Sequence, residues 1–231
     1  MNSAHYLDQF LFAILPYMVA ITFFPVTIVR YVARGFTYSS LSSQFLENKQ
    51  HFWGLVPFHY GILVVTGGHI VAFLLPRQLL AWNSQPLRLY VLEISALIFA
   101  ALALVGLCAA VARRFTVSKV RQVTSTRDWV LFALLVAQIA SGIGVAIFHP
   151  WGSSWFAAAV QPYLWSLARL SPDLAAVSAM PLLVKVHIVT AFLVVGYFPF
   201  TRLVHVLVIP NPYLWRKPQV VRWYGRHAWT K

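Results

Sequence analysis

Five long apolar runs, parted by shorter polar and aromatic stretches, organise the chain. About 20 mostly apolar residues cross a bilayer as an α-helix, so each run reads as a transmembrane span. Span one is expected from about Gln9 to Ile28, with bending at Pro16 and Pro25 and an end at Arg30 and Arg34. A polar, aromatic connector from Thr37 to Trp53, with room for one interfacial helix, leads to span two, from about Leu55 to Leu75, before Pro76. Span three is expected from about Leu87 to Ala112, ending on Arg113 and Arg114. Span four starts at Asp128, read as the N-cap, and ends near His149 and Pro150. An interfacial connector carrying Trp151, Trp155, Tyr163 and Trp165 precedes span five, from about Met180 to Val208, before Pro210. The fold class is therefore an all-α membrane bundle of five helices. It forms one domain over residues 1–212, followed by a basic, aromatic tail over 213–231.

Charge between the runs is lopsided. One side receives Arg30, Arg34 and Lys49, then Arg113, Arg114, Lys119, Arg121 and Arg127, and finally Arg216, Lys217, Arg222, Arg226 and Lys231. The other receives Arg77, Arg88, Arg169 and Lys185. The positive-inside rule makes the first side cytoplasmic, with the N-terminus outside and the C-terminus inside a cytoplasmic membrane. The first run has no basic n-region and carries Asp8 near its start, so it reads as a retained helix and not a cleaved signal.

Composition agrees with lipid as the main solvent: charged residues make up 10% of 231 and apolar ones 60%. The net charge of +13 could suggest nucleic acid, but the cations flank apolar runs as topogenic residues do, and no nucleic-acid partner is expected. Cys108, the single cysteine, excludes an internal disulfide, a CxxCH haem attachment and a cysteine-bound iron–sulfur cluster within this chain. It reads as a small apolar packing residue.

Four histidines lie inside spans: His59 and His69 on the second, His187 and His205 on the fifth. An imidazole in hydrocarbon is costly unless it is paired or bound, so two on each of two helices point to a function. His59 and His69 differ in depth by about 15 Å, His187 and His205 by about 27 Å and close to five full turns. The helices run antiparallel, so depth matches His69 with His187 and His59 with His205. The unequal separations require tilt or a kink at Pro199. Two imidazoles, one from each face, saturate a haem iron and suit electron transfer. A non-haem metal site or proton path is the rival, but of the five acids only Glu93 lies well inside a span. Glu93 reads as a capping or packing residue, with quinol proton acceptance as its other role. Gly67 and Gly68 either admit a flat group to the backbone or serve tight helix packing. Arg202 either pairs with a haem propionate or snorkels to the interface. His5, His51, His149 and His227 lie at span edges or in the tail and are weaker candidates.

The segments Arg30-Tyr31, Ser42-Ser43-Gln44, Phe58-His59-Tyr60-Gly61-Ile62-Leu63 and Gly68-His69 resemble the gamma subunit of respiratory nitrate reductase, a dihaem cytochrome b. So do Phe198-Pro199-Phe200-Thr201-Arg202-Leu203-Val204-His205, Tyr213-Leu214 and Arg216-Lys217. Spans three and four match mainly in hydropathy, with Gln138 and Gly142. The resemblance implies two haems b, an outer one on His69 and His187 and an inner one on His59 and His205. It also implies quinol oxidation beside the outer haem, near Gly68, His69 and Arg88. Arg88 stands where the family commonly uses lysine, and a plain interfacial arginine is the alternative. Electrons would then pass to an iron–sulfur subunit and a molybdopterin catalytic subunit docked on the cytoplasmic side, in anaerobic respiration. The tail would dock this partner or lie on membrane lipid. A nitrite-oxidising complex or a heterodisulfide or sulfur-compound reductase could use the same cytochrome. A transporter with histidine-lined path and a purely structural anchor are the other classes.

Overall fold

The computed structural model describes residues 3–33 and 49–208. Helix is the only regular secondary structure among them. Five helices are long and apolar enough to cross a membrane: Tyr6–Ala33, Trp53–Leu74, Pro86–Thr116, Thr126–Phe148 and Leu182–Phe200. Ile21, Leu63, Val105 and other large apolar side chains point outward from them, as lipid-facing surfaces require. The expected tail over 213–231 and most of the connector from Thr37 lie outside the described residues.

Spans two and three make the closest pair, and glycine is the reason. A Cβ on Gly106 would strike the Phe58 amide nitrogen, with the Gly54 carbonyl 2.6 Å away; one on Gly61 would meet the Ala103 amide nitrogen at 2.6 Å. Small residues let the backbones approach, as membrane helices without a hydrophobic drive need. Span four packs on three and five, and span five on one. Phe58, Leu107, Leu131 and Leu135 form a buried cluster between spans two, three and four. A second cluster, around Phe12, Tyr163, Val184 and Ile188, joins spans one and five to the segment after span four. Lys185 reaches Asp8 at 2.8 Å, tying the first turns of spans one and five together.

Several boundaries differ from the sequence reading, each for a physical reason. Span one stays helical through both prolines, with a π-helical stretch at Phe10–Ile14 just before Pro16. Pro16 has no N–H for the Phe12 carbonyl four residues back, and the Tyr163 hydroxyl donates to it instead at 2.7 Å. The helix that carries span two begins earlier, at Lys49. Short helices occupy stretches read as connectors: Pro76–Asn83, opened by Pro76, and a run of α- and π-helix from Gly152 to Ala168. Ser125, not Asp128, is the N-cap of span four. Asp128 is the N3 residue of a capping box, because its carboxylate reaches back to the Ser125 amide while the Ser125 hydroxyl accepts from its own. The α-helix of span five stops at Tyr197, and Phe198–Phe200 and Arg202–Val208 are 3-10 turns. Pro199 breaks the ladder, so His187 and His205 do not share one continuous helix face. Cys108 is exposed on the outside of the bundle and not packed within it.

The glycines of the second span separate into two kinds. Nothing lies within 4 Å of a Cβ added at Gly67 or Gly68, so the packing role falls to Gly54, Gly61 and Gly106. Gly106→Ala is therefore expected to lower stability by about 1–3 kcal/mol through overpacking, whereas Gly67→Ala leaves thermal stability in detergent unchanged or slightly raised. Equal losses in the two melting curves would contradict this division.

Candidate functional site

The geometry brings His59, His69, His187 and His205 together in two pairs. The His59 and His205 rings face each other with centroids 6.2 Å apart and planes at 63°. The His69 and His187 rings stand at 6.4 Å and 49°. An imidazole nitrogen lies about 2.0 Å from a transition metal ion it binds and about 1.1 Å from its own ring centre, so rings sharing one ion have centroids about 6.2 Å apart. Both pairs have that spacing. Spans two and five thus present two gaps of one-metal width, separated along span two by about 15 Å.

Local backbone fixes the chemistry of these rings. Nδ1 of His59 lies 2.7 Å from the Leu55 carbonyl, and Nδ1 of His69 lies 2.9 Å from the Val65 carbonyl, each one helical turn back. Nδ1 of His205 lies 2.7 Å from the Arg202 carbonyl, which the 3-10 turn brings within reach. A carbonyl only accepts, so each Nδ1 carries the proton and Nε2 keeps its lone pair for a metal. His187 reaches the same state through a side chain. Its Nδ1 lies 3.1 Å from the Ser141 hydroxyl, which itself donates to the Gln138 carbonyl at 3.0 Å. Its Nε2 has a long contact of 3.4 Å to the Gln138 amide nitrogen, and the Gln138 side-chain oxygen accepts from Thr190. Gly142 leaves room for this ring: a Cβ there would stand 2.8 Å from His187 Cε1.

Among the described residues no three histidines, cysteines or acids gather into one metal-binding group. Two imidazoles per site suit a metal whose other donors come from a macrocycle, and the open space beside Gly67 and Gly68, next to His69, gives a flat group access to the backbone. These residues fit haem b. His59 and His69 are exposed at the bundle surface facing the gap, and their partners are partly buried.

Three further sequence candidates have definite settings. Arg202 makes a two-point ion pair with Asp128, Nε at 2.9 Å and Nη2 at 3.0 Å, and Nη2 also meets the Val123 carbonyl at 3.0 Å. Glu93 accepts from the Ser153 amide at 2.9 Å and from its hydroxyl, so it caps the short helix at Gly152, and Asn83 donates to Ser153 and Ser154. That is the capping role read from sequence. Arg88 is exposed at the head of span three, its guanidinium 5.0 Å from the centre of the Trp82 ring. Sequence alone does not mark Ser141 or Asp128 as site residues: a serine inside an apolar run beside Gly142 is the signal for the first, and the second reads only as a cap.

A family model described as nitrate reductase gamma subunit matches residues 8–224. The nitrate reductase gamma chain of Bacillus subtilis (strain 168) is 32% identical over 217 residues, covering 93% of this chain and 97% of that one. The respiratory nitrate reductase 2 and 1 gamma chains of Escherichia coli (strain K12) are 28% and 29% identical, covering 94% and 96% of this chain and 97% and 99% of theirs. With five apolar spans, paired imidazoles and a match along most of its length, this chain belongs to the nitrate reductase gamma subunit family.

Proposed function

We propose that this chain is the quinol-oxidising cytochrome b subunit of a nitrate reductase complex, with two haems b held between spans two and five. The observation that carries the reading is the pair of imidazole gaps, each matched to one metal ion and each with protonated Nδ1 turned to an acceptor. When bound, haem b supplies a one-electron carrier at each of the two depths, linking quinol at one membrane face to an acceptor at the other.

The residues divide the work. His69 and His187 hold the outer group, His59 and His205 the inner one. Ser141 fixes the His187 tautomer, leaving Nε2, which has only the long Gln138 contact, as the atom that would hold a metal. Gly68 leaves space for the quinol ring beside His69, and Arg88 at the same end offers a cation to its oxygen. Arg202, whose charge Asp128 already balances, would serve an inner propionate as a hydrogen-bond donor more than as a countercharge. Proton release on the outer side accompanies quinol oxidation, so charge separation across the membrane needs no proton channel. The basic loops and the 213–231 tail dock an iron–sulfur subunit, and through it a molybdopterin catalytic subunit, on the cytoplasmic face. In this reading the N-terminus lies outside, the side that the distribution of arginine and lysine favours.

Three outcomes test this reading. His69→Leu and His187→Leu should each leave one haem per chain by pyridine haemochrome and abolish quinol-driven haem reduction; undiminished reduction in both would sink it. Ser141→Ala should weaken outer-haem retention about 10- to 100-fold while sparing the inner haem, since the partner of a metal-binding imidazole sets its affinity. Arg88→Gln should raise KM for a soluble quinol several-fold with kcat nearly unchanged, and an unaltered KM would remove Arg88 from the site.

A further inference from the structure

We propose that Arg30 is a positioning residue for the inner imidazole pair, clasping the break in span five and so setting the angle at which His205 faces His59. The inference rests on the haem reading above and extends it to a residue outside the ligand set.

The break leaves backbone groups without helical partners. Pro199 has no N–H, the α-helix ends at Tyr197, and Thr201 is extended, with φ −112° and ψ 179°. In a continuous helix the Leu203 amide would bond the Pro199 carbonyl. Here it donates to the Thr201 hydroxyl at 3.1 Å. The Pro199 carbonyl thus lacks a helical donor in a buried position, where an unpaired carbonyl is costly. Arg30, from the last turn of span one, supplies the donor: Nη1 bonds the Pro199 carbonyl and, at 3.2 Å, the Thr201 carbonyl.

One nitrogen therefore joins both sides of the break. The peptide that follows Thr201 belongs to Arg202, whose carbonyl accepts the His205 Nδ1 proton at 2.7 Å. Thr201 and Val204 are both buried, so this short turn has little freedom to adjust independently. From the opposite side Asp128 holds the Arg202 guanidinium. Movement of the 199–201 carbonyls passes through two peptide units to the ring of His205. His187, which precedes the break, takes its orientation from Ser141 on span four and lies outside this linkage.

The test uses the full complex with Arg30→Met, which keeps length without donors, and Arg30→Lys, which keeps donors to carbonyls. Electron paramagnetic resonance of the oxidised protein is the readout. The low-field line of a low-spin haem with two imidazoles follows the angle between the ring planes, whereas loss of a charge alone moves the potential. The expected result is a shifted or missing inner-haem line in Arg30→Met, partial return in Arg30→Lys, and an unmoved outer-haem line in both. An unmoved inner line in Arg30→Met overturns the proposal, as does a parallel shift or loss of both lines, which marks a general structural role. The unaltered complex separates the two layers of inference: without two low-spin haems the function itself fails, and Arg30 with it.

Discussion

Polar groups inside a bilayer have no water to turn to, so an unpaired carbonyl or imidazole there is costly and a partner within the protein is favoured. That constraint explains the places where this bundle departs from five plain helices. Pro16 orphans a carbonyl, and Tyr163 crosses from the segment after span four to meet it. Pro199 orphans another, and Arg30 meets that one from span one. Glu93 accepts from the Ser153 amide at the start of the short helix at Gly152. Pro16 and Pro199 each remove a helical donor at a defined point, and the repairs hold together elements that are distant in sequence.

The histidines obey the same constraint and turn it into a site. Each ring gives its Nδ1 proton to an acceptor on its own turn or, for His187, on the neighbouring span. Each is left with a bare nitrogen that nothing but a metal or a donor satisfies. The close backbone contact of spans two and three, made by Gly54, Gly61 and Gly106, fixes the helix that carries His59 and His69 against the rest of the bundle. Span five completes both gaps. Its break at Pro199 reconciles the unequal spacing of histidines, ten residues apart on one helix and eighteen on the other, which a single straight α-helix would not match.

Much of this could be read from residue order. Five apolar runs mark the five spans because hydropathy is a property of each segment alone. The depth of each histidine follows from helical rise, and depth is enough to say which rings meet. What could not be read is whatever depends on partners far along the chain. Asp128 looked like a helix cap, and its capping-box place leaves its carboxylate facing Arg202, 74 residues away. Arg30 reads as topogenic and as part of the Arg30-Tyr31 motif, and nothing local signals carbonyls 169 and 171 residues distant. The helix after Gly152 was hidden because its aromatic, small-residue composition suits an interface as well as a helix. Gly67 and Gly68 could not be distinguished from Gly61 by sequence, because only the neighbouring span decides whether a missing Cβ is filled by backbone or left open.

The account stands on the claim that each imidazole pair grips an iron porphyrin. The most direct measurement is a quantitative pyridine haemochrome assay on the assembled complex, normalised to this chain by amino-acid analysis. Two haems b per chain is the predicted result. A colourless complex, or one whose iron is held without these four rings, would contradict it.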